Sequence, residues 1–73
     1  MTESVGFPSL PDYWARVTER QADYPEWREG QTAFNVLHEM RPELANKIRG
    51  GTIDPFYRDD KLPYFVEWLE GDW

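Results

Sequence analysis

The sequence predicts an all-α domain of three to four helices, and three observations predict it. Apolar residues recur at spacings of three and four along separate stretches of the chain. No segment shows the sustained alternation or the tight glycine turn of a hairpin. Proline and glycine stand where helices start and stop, with Pro11, Pro42 and Pro63 near starts and Gly50-Gly51 after a basic turn. The expected helices run from about 11 to 22, 25 to 40, 42 to 49 and 61 to 70, with a short turn at 55–58.

Residues 1–10 read as an N-terminal arm, because Gly6, Pro8 and Pro11 break any period. One helical domain then fills residues 11–73. Ser9 and Asp12 have the spacing of a capping box, with Pro11 at the first helical position. Tyr13, Trp14 and Val17, and Tyr24 if the helix lasts that long, share one side. Asp12, Arg16, Glu19 and Asp23 share the other.

Asp23, Pro25 and Glu26 give the next start signal, which predicts a helix over 25–40. Trp27, Ala33, Phe34, Val36, Leu37 and Met40 spread over about half its circumference, so it is expected at the centre of the bundle. Arg28, Thr32, Asn35 and Glu39 make its polar strip. Gly30 falls in the apolar arc, where glycine costs about 1 kcal/mol against alanine. Close approach of a neighbouring helix would offset that cost. In the rival reading Gly30 breaks the segment and the helix starts at Gln31.

Arg41-Pro42 ends this helix, since the residue before proline avoids the α region. A third helix over 42–49 turns Leu44, Ala45 and Ile48 inward, and Gly50-Gly51 supplies its left-handed cap. Asp54-Pro55 opens the 55–58 turn. Asp59 or Asp60 is expected to cap the last helix, where Pro63 is tolerated in the first turn. Leu62, Phe65, Val66 and Leu69 form its inner face. Gly71 makes it doubtful that the helix carries on to place Trp73 on the same side.

The bulk composition removes several functions. There is no cysteine, hence no disulfide and no thiolate metal site, and His38 is the single histidine. His38-Glu39 lacks the second histidine of a zinc-protease motif and reads as a residue at the core margin. Asp54, Asp59 and Asp60 lack the pattern of a calcium loop and read as caps. No phosphate loop and no nucleophile elbow occur. The sequence therefore points to no enzyme, no catalytic residue, no cofactor and no metal. Twelve aromatic side chains, four each of Trp, Tyr and Phe, take the place of the staples that small domains use.

The formal net charge of −6, from 14 acids and 8 bases, argues against a nucleic-acid partner. The charge is uneven, at −4 over residues 1–40, +2 over 41–53 and −4 over 54–73. No stretch approaches the roughly 18 apolar residues of a membrane span. The N-terminus lacks the layout of a secretory signal.

A pattern runs through Gln31, Phe34-Asn35, Leu37, Arg41-Pro42, Leu44-Ala45, Ile48-Arg49-Gly50 and Asp54-Pro55-Phe56, closing on Pro63, Phe65 and Trp68. In this the chain resembles a group of small proteins of bacteria and their phages over about residues 13–73. The resemblance implies a bacterial or phage setting and a cytoplasmic one. It carries no activity and no site residue with it.

Three functional expectations follow. The leading one is a small acidic protein-binding module, a phage-encoded modulator or inhibitor of a host protein. Its contact would be an aromatic patch of Tyr64, Trp68 and Trp73 with a rim of Glu67, Glu70 and Asp72. The second is an acidic decoy that imitates DNA, with Asp12, Glu19, Asp23, Asp59 and Asp60 joining Glu67, Glu70 and Asp72. The third is a helix-turn-helix-like DNA binder that reads with Arg41, Lys47 and Arg49. Monomer and homodimer are equally open.

Overall fold

A computed structural model describes residues 9–73, so most of the expected N-terminal arm lies outside the described residues. Among the described residues four α-helices follow one another, α1 (Leu10–Asp23), α2 (Glu29–Met40), α3 (Pro42–Ile48) and α4 (Leu62–Asp72). A single 3₁₀ turn, Asp59–Lys61, leads into α4. No strand occurs among the described residues.

Helix α1 starts as its sequence predicts. The Ser9 hydroxyl accepts the Asp12 amide and the Asp12 carboxylate accepts the Ser9 amide, both at 3.2 Å. Two donors that a helix N-terminus leaves open are thereby satisfied within one turn. The helix ends at Asp23, so Tyr24 is not on its inner stripe. Tyr24 instead stacks on Trp27, with ring centroids 4.3 Å apart.

Helix α2 begins at Glu29, four residues after the expected start. Residues 24–28 form a turn, closed by the Trp27 amide on the Tyr24 carbonyl at 2.9 Å. The Gln21 side-chain amide reaches the Trp27 carbonyl at 2.7 Å. Stacking and this bridge hold Pro25 and Glu26 out of the helix, overriding the local start signal. No side chain of the 23–28 segment caps α2. The cap comes from Asp59, whose carboxylate accepts the Gly30 amide at 3.0 Å. Asp59 thus does not cap the last helix, and α4 has no side-chain cap.

Gly30 is buried, and the element pressed against it is a loop rather than a helix. A Cβ at this position would fall well inside contact distance of the Pro55 carbonyl oxygen and 2.9 Å from an Asp59 oxygen. The predicted close approach is real, and its partner is the 54–59 segment.

Helix α2 is central. It gives the core Ala33, Phe34, Val36 and Leu37, against Leu44, Ala45 and Ile48 from α3, Phe65 and Leu69 from α4, and Tyr13 from α1. Thr32, expected on the polar strip, is fully buried. Its hydroxyl lies 3.0 Å from both the Gln21 side-chain oxygen and the Arg28 carbonyl, which removes the cost of burying it. The Tyr13 hydroxyl donates to the Ala33 carbonyl at 2.6 Å. Burial pushes the Tyr13 phenol above its usual range. On the surface, Glu39 clasps α1 to α2 through Arg16 at 2.6 Å and Arg20 at 3.0 Å.

The central punctuation is as read from sequence. Arg41 is the last cap of α2 and the first of α3. Gly50 takes φ +73°, a left-handed conformation suited to glycine. Asp54 accepts the Gly50 amide at 2.7 Å and the Phe56 amide at 2.9 Å, and so ties the glycine stop to the Asp-Pro restart. Helix α4 runs through Gly71, and the Trp73 amide bonds the Leu69 carbonyl at 2.8 Å.

Candidate functional sites

The three aromatics expected to form one patch have different surroundings. Trp73 is half-buried against Tyr13, with ring centroids 5.3 Å apart. The Arg41 guanidinium covers its ring at 5.1 Å and bonds its carbonyl at 2.8 Å. Trp68 is half-buried beside Phe65, at 6.3 Å. Only Tyr64 is open, at 59% exposure. Glu67, Glu70 and Asp72 are all exposed.

The other flank of α4 carries a feature that the helical wheel did not separate. Leu62 and Val66, one turn apart, face Trp14 and Val17 of α1 across a groove of about 610 Å³. Thr18, Gln21 and Ala22 extend the α1 wall, and Glu29 stands at the start of α2. Val66, expected on the inner face, is half-buried at this groove. Glu70 continues the row of Leu62 and Val66 by one more turn. The groove joins residues nearly fifty positions apart, so no local pattern could reveal it.

The ion pairs divide the charges unevenly. Glu19 and Asp23 pair with Arg16 and Arg20, Glu43 with Arg41, Asp59 with Arg28 and Asp60 with Arg58. A hydrogen bond from Arg41 holds the Glu43 carboxyl below its usual range, and one from Arg58 does the same for Asp60. The Asp12 and Asp54 carboxylates are occupied by backbone amides. Among the described residues, five further acids enter no ion pair: Glu26, Glu29, Glu67, Glu70 and Asp72. All five lie on α4 or around the start of α2. Of the eight acids considered for a DNA-imitating face, Asp12, Glu19, Asp23, Asp59 and Asp60 are engaged elsewhere.

A second, smaller cleft of about 440 Å³ lies on the side of α2 that carries Phe34, Asn35 and His38. Arg49 and Gly50 at the end of α3 and the loop from Asp54 to Tyr57 complete its walls. Of the basic residues considered for DNA reading, Arg41 is engaged by Glu43 and Trp73, Lys47 is exposed, and Arg49 faces this cleft.

Among the described residues no group of three His, Asp or Glu side chains could hold a metal ion, and no helix is long and apolar enough to cross a membrane. Comparison of the chain with family models, curated proteins and solved structures gives no match.

Proposed function

We propose that this chain is a small acidic protein-binding module, and that the groove between α1 and α4 receives an amphipathic basic helix of its partner. One observation carries the reading. The apolar floor of Trp14, Val17, Leu62 and Val66 lies beside Glu29, which enters no ion pair, and Glu70 follows Val66 by one turn of α4. An amphipathic helix binds by laying its apolar face into such a groove. Lysines or arginines along the partner's edges would meet Glu29 at one end and Glu67 and Glu70 along α4. Charge complementarity of this kind raises the association rate and selects partners. In the bacterial or phage-infected cell that the sequence resemblance implies, the module would modulate a host protein in the cytoplasm. The DNA-imitating reading draws less support, because most of the acids it needs are tied to arginines or caps.

Capture from bacterial lysate tests this with wild type, Val66→Asn and Tyr64→Ala, each checked for folding by circular dichroism. The groove reading expects Val66→Asn to lose the partner and Tyr64→Ala to keep it. Recovery should fall as salt shortens the screening length. Loss with Tyr64→Ala alone would move the contact to the other flank of α4. Equal recovery with all three proteins would overturn the groove.

A further inference from the structure

The cleft beside α2 has the chemistry of a ligand site, and we propose that it binds a small oxyanion joined to a planar ring, an aryl carboxylate or aryl phosphate. The inference is independent of the α1–α4 groove and concerns other residues.

The size is suitable, since about 440 Å³ lies within the range of small-molecule pockets. The floor is aromatic. Phe34 meets Phe56 edge to face at 5.7 Å, and Phe56 meets Tyr57 edge to face at 4.7 Å. Tyr57 stands at the mouth with 79% of its surface exposed, the most open of the large apolar side chains described. A ring laid on Phe56 and Tyr57 would bury surface that folding leaves in water.

Three polar side chains around this floor, Arg49, Asn35 and His38, can donate. Arg49 is the only arginine among the described residues with no carboxylate within 4.0 Å. Its guanidinium sits over the Phe34 ring at 5.5 Å and makes one long bond, 3.3 Å, to the Asn46 side-chain oxygen. A guanidinium has five N–H donors, so most of this one's capacity is unused. Asn35 and His38, on the same side of α2, make no side-chain hydrogen bond among the described residues. Each can donate to an oxyanion.

The cleft's one carboxylate does not compete for Arg49. Both Asp54 oxygens accept backbone amides, those of Gly50 and Phe56. Asp54 therefore shapes the wall and stays beyond ion-pair distance of the guanidinium. In a chain with six more acids than bases, an arginine spared from pairing beside an aromatic floor is the arrangement that a ring-bearing anion would fill. Charge-assisted bonds from a guanidinium fork are the strong ones for carboxylate and phosphate.

The test is an amide-shift titration of the ¹⁵N-labelled full chain with phenylacetate, phenyl phosphate, inorganic phosphate and benzyl alcohol. At least one of the two aryl anions should shift the Asn35, His38, Gly50 and Tyr57 amides saturably, in the range of about 0.1–10 mM. Whichever binds more tightly identifies the oxyanion. Arg49→Gln should weaken that binding about tenfold, whereas Lys47→Gln, an exposed neighbour, should leave it unchanged. No saturable shift with either aryl anion overturns the proposal. So does equal binding of benzyl alcohol or of inorganic phosphate, since ring and charge must act together. Unchanged binding by a folded Arg49→Gln overturns it as well.

Discussion

Gly30→Ala should destabilise this domain strongly, although the same change in an open helix is favourable. The new methyl group would collide with the Pro55 carbonyl and lie 2.9 Å from an Asp59 oxygen. Neither neighbour can yield freely. Pro55 is buried, its carbonyl accepts the Arg58 amide at 3.2 Å, and Asp54 holds the next amide. Relief requires the 54–59 segment to move off α2. Overpacking of this kind costs about 1–3 kcal/mol. Loss of the Gly30 amide bond to Asp59 adds about 1 kcal/mol. The gain in helix propensity offsets at most about 1 kcal/mol. The net is about 1–3 kcal/mol, which for a domain of this size lowers Tm by roughly 5–20 °C. Thermal unfolding followed by circular dichroism reads this directly. Gly71→Ala is the control, since nothing lies within 4 Å of a Cβ there, and it should raise Tm slightly. A Gly30→Ala protein as stable as wild type would refute the close approach. The cleft would lose its wall as well, because the same segment forms it.

Tyr13→Phe removes a buried hydroxyl that donates to the Ala33 carbonyl, and should cost about 1–2 kcal/mol in urea unfolding. Folding keeps a Tyr13 proton that the unfolded chain releases near pH 10. Its contribution is therefore intact below about pH 10 and declines as pH rises beyond it, and alkaline absorbance titration should show one late tyrosine that Tyr13→Phe abolishes. Glu39→Gln should lower Tm by a few degrees at neutral pH by opening the clasp to Arg16 and Arg20. A hydrogen bond from Arg20 is the main cause that holds the Glu39 carboxyl below its usual range; burial opposes it and Arg16 adds to it. A depressed carboxyl stabilises above its unfolded pKa, about 4.3, and loses that contribution as pH falls below it, so the gap between wild type and Glu39→Gln should close in acid.

What could be read from sequence was what neighbours in the chain decide. The Ser9–Asp12 box, the Arg41-Pro42 corner, the left-handed Gly50 and the Asp54 turn each involve residues within four positions of one another. The start of α2 could not be read, because its determinants are distant. Asp59 caps it from 29 positions away, and Gln21 and the Tyr24–Trp27 stack hold the preceding turn. The candidate sites follow the same rule. Tyr64 and Trp68 were visible as a pair one turn apart, but the cover over Trp73 comes from Tyr13 and Arg41. Both hollows are formed by segments far apart in the chain, so their lining was present in the sequence without any signal of its grouping.

The net charge of −6 describes neither hollow. Pairing on the body of the domain uses up five of the six arginines and a similar number of acids. Apart from Asp12 and Asp54, which accept backbone amides, the remaining described acids gather on α4 and around the start of α2, whereas Arg49 remains beside the aromatic cleft. Exposed charges farther apart than a screening length of about 10 Å at 0.1 M salt act nearly independently. Each hollow is then governed by the charges of its own lining, an acid outside any ion pair at the groove and an arginine outside any ion pair in the cleft. Under the two proposals, one small acidic chain serves ligand classes of opposite charge. Binding at the groove should weaken with salt through several acids at once. Binding in the cleft rests on a single cation, Arg49, and should respond to salt far less steeply.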